Sequence, residues 1–144
     1  MARAVGGVNF RTNAALTNGC SIAAGGSGWT CTSSRETKKD FTAMDVVEVL
    51  KHVAQMPITR WRYRTETSGA HHVGPMAEDF HAAFALGEDD KAINSIDASG
   101  VALAAIQGLN QLLGKKDVEI QAQNERIKML EDALVAIQWK LGMR

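Results

Sequence analysis

Residues 106–141 read IQGLNQLLGKKDVEIQAQNERIKMLEDALVAIQWKL, and their spacing decides the architecture of the C-terminal third. With Ile106 as a heptad a position, the a series is Ile106, Leu113, Ile120, Ile127, Leu134 and Leu141, all large aliphatics. The d series is Leu109, Lys116, Gln123, Leu130 and Ile137, apolar at both ends and polar between. A sustained seven-residue apolar repeat keeps one seam facing a partner helix and predicts a left-handed coiled coil. Ile at a with Leu and Ile at d disfavours a strict dimer, and a buried Gln123 sets register at a cost in stability. Three strands is therefore the expectation over two, with Arg126 at g and Glu131 at the next e suited to pairing between chains. Gly114 is the expected soft spot, because Gly costs about 1 kcal/mol against Ala inside a helix. The competing reading, one amphipathic helix packed on its own domain, fits badly with a repeat so long beside so small a partner.

Upstream of that helix the chain divides by composition. Residues 1–32 are rich in Gly, Ala, Asn, Ser and Thr, with short apolar runs at Val5–Phe10 and Ser21–Ala24. Asn18-Gly19 and Gly25-Gly26 punctuate them and predict tight turns between short strands. Such a segment has too little apolar mass to bury alone, so it reads as a few short β-strands whose core partner chains must complete. Met1–Phe10 lacks the apolar stretch of a signal peptide, and the chain is read as the tail of something longer.

Residues 33–100 predict a small α+β unit. Val46, Val49, Leu50 and Val53 fall at helical spacing, with Thr42 or Asp45 as cap and Pro57 as stop. Ile58–Tyr63 alternates as a strand, and Val73–Met76 follows a loop as a turn. Pro75 opens a helix through Phe80, Ala83, Phe84 and Leu86, closed by Gly87. Ile93–Ile96 is expected as a further strand.

Charge and residue inventory narrow the function. Sixteen basic and sixteen acidic residues cancel, which leaves no field to draw in nucleic acid or an anionic membrane. Arg60, Arg62 and Arg64 alternate with Trp61 and Tyr63 as one solvated strand face. No apolar run is long enough to span a bilayer. Cys20 and Cys31 are read as free thiols in preference to a hairpin disulfide, since spacing alone does not decide it. His52, His71, His72 and His81 lack the usual zinc-ligand spacing. No cofactor, metal or small-molecule substrate is implied.

Four blocks in the middle segment then resemble, in order, a known family. These are Ser33-Ser34-Arg35-Glu36-Thr37-Lys38-Lys39-Asp40-Phe41, the Pro57–Tyr63 strand with its Trp61 and Tyr63, His72-Val73-Gly74-Pro75-Met76-Ala77-Glu78-Asp79-Phe80, and Ile96-Asp97 followed by Gly100-Val101-Ala102-Leu103. They are similar to the intramolecular chaperone auto-processing domain of phage endosialidases, tailspikes, tail fibres and bacterial surface fibres. Ser34 stands where that family usually has Asp.

The resemblance implies a homotrimeric chaperone that registers an upstream β-fibre of the same polypeptide, on a phage tail or a bacterial surface. It also implies release by cutting the Thr32–Ser33 bond. Ser33 is then the nucleophile and Lys38 its base. A Ser hydroxyl attacks only when a neighbour takes its proton, and Lys does so only when neutral. Lys39 and Arg35 supply the cationic neighbours that favour that form. His72 is either a polariser of the same reaction or a histidine packing a turn. Two further readings stay open beside the self-cleaving chaperone. One is a non-cleaving trimerisation cap. The other is an adaptor coiled coil with a small head, against which the Gly-rich β entry argues.

Overall fold

The structure, a computed structural model, describes residues 4–142, so the outermost ends of the expected segments 1–32 and 101–144 lie outside the described residues. The chain is α+β and its contacts divide it into two units, Met1–Ala43 and Met44–Arg144.

In the first unit β1 (Val8–Arg11), β2 (Gly19–Ile22) and β3 (Thr30–Cys31) form an antiparallel meander. Val8 faces Ile22 and Arg11 faces Gly19, so Asn18-Gly19 is not the turn between β1 and β2. The connection is longer and closes on Asn13, whose Oδ1 accepts from the Thr17 and Asn18 amides, both at 3.0 Å. An Asn side chain that bonds its own backbone replaces the two-residue hairpin that the Asn-Gly pair predicts. Gly19 instead begins β2 with φ 151°, where a Cβ would overlap the Phe10 carbonyl.

Cys20 and Cys31 are directly opposite across β2 and β3 and form a disulfide, with Cα atoms 4.0 Å apart. This corrects the expectation of free thiols: the register, which spacing does not reveal, makes them neighbours. Among the described residues of this unit none is fully buried, so the bridge carries much of the ordering. Closing so short a loop contributes about 3 kcal/mol in the chain-entropy picture.

The second unit is built on helices. α1 (Val46–Gln55) starts at Asp45, whose carboxylate accepts from the Val47 and Glu48 amides, and stops at Met56 just before Pro57. Strands β4 (Thr59–Trp61) and β5 (His72–Gly74) pair antiparallel, with Trp61 opposite His72. α2 (Ala77–Phe84) follows, and it ends earlier than Gly87 suggests. Ala85 takes the left-handed conformation, φ 51°, while the His81 Nδ1 lies 2.9 Å from the Leu86 carbonyl and helps close the turn.

α3 (Ser95–Lys140) then runs unbroken, capped by the Asn94 side chain accepting from the Ile96 amide. That cap turns the expected Ile93–Ile96 strand into the entry of the helix. Gly114 does not interrupt it. At about 1.5 Å per residue a helix of 46 residues is about 69 Å long.

The core is thin: Val49, Phe80, Val101 and Ala105 are buried, with Leu50, Val53, Met56, Phe84, Leu86 and Ile93 packed around them. The approach of α1 to α3 depends on Gly108, which is buried and where a Cβ would overlap the Val46 carbonyl oxygen and crowd Leu50. From Leu109 onward every described residue of α3 is exposed. Among the described residues no helix is long and apolar enough to cross a membrane.

The two helical glycines give opposite expectations. Gly108→Ala forces α1 and α3 apart and should lower stability by about 1–3 kcal/mol, the usual cost of overpacking. Gly114→Ala meets open space and should raise helix stability by about 1 kcal/mol. Urea melts followed by far-UV dichroism check both, and equal effects would contradict the packing described.

Candidate functional site

Ser33 and Lys38 are brought together by one short turn. After Thr32 the chain enters a 3-10 helix, Arg35–Thr37, capped by Ser34. The Ser34 hydroxyl accepts from the Glu36 amide at 3.3 Å, and the Ser34 carbonyl accepts from the Thr37 hydroxyl at 2.9 Å. Ser and Asp are both good caps at a helix start, so Ser34 does the local work expected of the usual Asp. A 3-10 turn rises only about 2.0 Å per residue, which returns Lys38 toward its starting point. The Lys38 amide donates to the Arg35 carbonyl at 3.2 Å. The Lys38 side chain then reaches back, and its Nζ donates to Ser33 Oγ at 2.8 Å. Arg35 lies over the Phe41 ring, 5.1 Å from its centre, folding the following residues back on the turn.

The bond before Ser33 is held from the other side. The Thr32 amide donates to the Gly19 carbonyl at 2.9 Å. The Thr32 hydroxyl lies 3.2 Å from both the Thr17 and the Gly19 carbonyl oxygens. Thr32 is thus pinned to the start of β2 one residue after the Cys20–Cys31 bridge. The amine-to-hydroxyl contact is within the reach a general base needs. Ser33 and Lys38 are both exposed in the single chain.

His72 belongs to the second unit. Its Nε2 lies 3.1 Å from Glu66 Oε2, and its ring is 4.8 Å from Trp61 and 5.5 Å from Tyr63. Trp61 and Tyr63 meet edge to face at 4.9 Å. The aromatic strand and the histidine block therefore form one cluster, joined by the Trp61–His72 strand pairing. The hydrogen bond from His72 holds the Glu66 carboxyl below its ordinary 4.5, helped by the Ser68 hydroxyl. His72 is thus held within its own hairpin by Glu66, Trp61 and Tyr63.

Glu66 was not marked by any sequence signal. It sits in a loop, six residues before its partner, where no periodicity points to it. Arg60, Arg62 and Arg64 are exposed, as a solvated face requires. Among the described residues no group of three His, Cys, Asp or Glu side chains is arranged to hold a metal ion.

The heptad residues are all exposed among the described residues, Gln123 included. Ile106, Leu113, Ile120, Ile127, Leu134 and Leu141 are each more than half exposed, as are Leu130 and Ile137. Leu109 is 49% exposed, at the point where α3 leaves α1.

Residues 33–86 match the family described as chaperone of endosialidase, and the match begins at Ser33 itself. It bears out the family resemblance for that segment. Comparison with curated proteins and with solved structures gave no match.

The Glu66–His72 pair sets a pH expectation. A carboxyl whose folded pKa is depressed adds stability that is fully present above the ordinary 4.5 and lost as pH falls through the lowered value. The Glu66 side-chain carboxyl resonance should therefore titrate below the ordinary 4.5. In His72→Phe that titration should move up towards the ordinary value; a wild-type Glu66 titration at or above 4.5 would contradict the assignment.

Proposed function

We propose that this chain is a C-terminal intramolecular chaperone that trimerises through α3, registers an upstream β-fibre of its own polypeptide, and then releases itself by cutting the Thr32–Ser33 bond. A chaperone role is supported by the family match. The cutting step is carried by one observation: Lys38 Nζ lies 2.8 Å from Ser33 Oγ. A phage tail or a bacterial surface fibre is the setting such a family suggests.

The chemistry uses only this chain. Lys38, neutral, takes the hydroxyl proton as Ser33 Oγ attacks the Thr32 carbonyl carbon. The Thr32–Ser33 C–N bond breaks, the proton passes to the departing Ser33 nitrogen, and an ester joins Thr32 to Oγ. Water then hydrolyses the ester, leaving a Thr32 carboxylate and a free Ser33 hydroxyl.

Assembly supports both tasks. Long-range pairing of β-strands from three chains is slow, because association and loop-closure entropy are lost before contacts form. A coiled coil forms from local contacts and raises the effective concentration of the tethered strands to about millimolar. Burying one Ile or Leu of the seam contributes about 1.5–3 kcal/mol. Desolvation in the assembly also favours the neutral amine. Release afterwards leaves the fibre without its assembly path in reverse, a kinetic form of stability.

A non-cleaving cap is the second reading, favoured by the exposure of Ser33 and Lys38 in the single chain. Light scattering should give three times the chain mass. Replacing Ile127 and Leu134 with Asp should give the single-chain mass, since unpaired buried charge costs several kcal/mol. A wild-type monomer at micromolar concentration would end the trimer reading. Intact mass spectrometry at pH 8–9 should find two products, the second beginning at Ser33. Ser33→Ala, Lys38→Ala and Lys38→Arg should each remove the cut while keeping the trimer, as guanidinium stays charged at these pH values. An uncut wild-type trimer after prolonged incubation would leave the cap.

A further inference from the structure

The strand that precedes Ser33 is the shortest among the described residues. β3 has only Thr30 and Cys31, and strands so short do not stay on a sheet by their own ladder bonds. Yet Thr32, just beyond it, makes three hydrogen bonds to Thr17 and to Gly19 at the start of β2. Its amide reaches the Gly19 carbonyl, and its hydroxyl reaches both Thr17 and Gly19. The covalent link between β3 and β2 is the Cys20–Cys31 bridge, placed across the register one residue before Thr32. The turn on the far side of the bond holds Ser33 and Lys38 without any help from the sheet.

The two sides of the Thr32–Ser33 bond are thus held by separate devices. The dyad side is local. The acyl side is fastened to β2, and through one covalent link. Displacement of a reacting group by about 1 Å can cost on the order of 100-fold in rate, so a frayed β3 would separate the carbonyl from a dyad that is itself intact. After the cut, Cys31 and Thr32 remain with the upstream product, and the same bridge keeps its new chain end on the sheet.

We infer that the Cys20–Cys31 disulfide is the positioning clamp of the scissile peptide, holding Thr32 on β2 for the attack by Ser33 and fastening the new C-terminus afterwards. This rests on the cleavage reading above, and its test separates the two.

The first arm uses the full chain with Ser33→Ala, which leaves the peptide uncut. Hydrogen exchange at the Thr32 amide is measured with the bridge intact and after reduction with a phosphine. Exchange should accelerate about tenfold or more on reduction, the sign of local opening, while amides of α1 keep their protection. Unchanged exchange at Thr32 overturns the clamp whether or not the chain cuts itself.

The second arm follows self-cleavage of the unaltered chain by intact mass. Reduction should slow the cut by about tenfold to 100-fold and by the same factor at every pH, because the dyad's own protonation is untouched. Reoxidation of the same sample should restore the rate, and Cys20→Ser with Cys31→Ser should reproduce the reduced rate. A rate indifferent to reduction, or a pH profile that moves with it, overturns the positioning role. A chain that never cuts, yet loses Thr32 protection on reduction, refutes the cleavage reading and the positioning role, and keeps the fastening of the strand.

Discussion

The close approach of α1 to α3 at Gly108 is the contact on which the second unit depends. The missing side chain lets the Val46 carbonyl rest against the helix. That approach brings Val49 against Val101 and Ala105, with Phe80 of α2 completing the cluster. With only these four hydrophobic side chains buried among the described residues, the unit has little to lose and little in reserve. The helix that supplies half of this core then continues far past it with its apolar seam uncovered. One element therefore has two parts: first turns that pack on its own chain, and a remainder whose apolar seam no described residue of the chain covers.

The first unit meets the same shortage of apolar mass by different means. None of its described residues is buried. Order comes from polar closure at Asn13, from a glycine that lets Phe10 approach, and from a disulfide. Small folds without a core usually need such a staple.

The helices were legible because their signals are local. Asp45 before Val46, Pro57 after Met56 and the heptads after Ile106 each act within a few residues. The Ser33–Lys38 contact was legible for the same reason, as a five-residue turn closes it. What stayed hidden depends on register or on contact at a distance. The Cys20–Cys31 pairing follows from which residues of β2 and β3 face each other. Gly108 looks like any helical glycine until α1 is seen against it, whereas Gly114, which looked more exposed to failure, lies in open space. Asn18-Gly19 misled because Asn13 offered the loop a better closure. Ile93–Ile96 misled because the Asn94 cap claims the Ile96 amide. Glu66 was invisible because its partner His72 is reached only through the fold of the hairpin.

The local closure of the dyad also bears on timing. Chains emerge from the ribosome N-terminus first, so Ser33 and Lys38 are made and able to meet before α3 has been synthesised. If the proposed cleavage operates, geometry alone permits a cut before the helix exists, severing the fibre from a chaperone still being made. The solvent exposure of both side chains in the lone chain would then be the delay, since burial is what favours an uncharged amine, and the order of events would follow hydration and not the shape of the site.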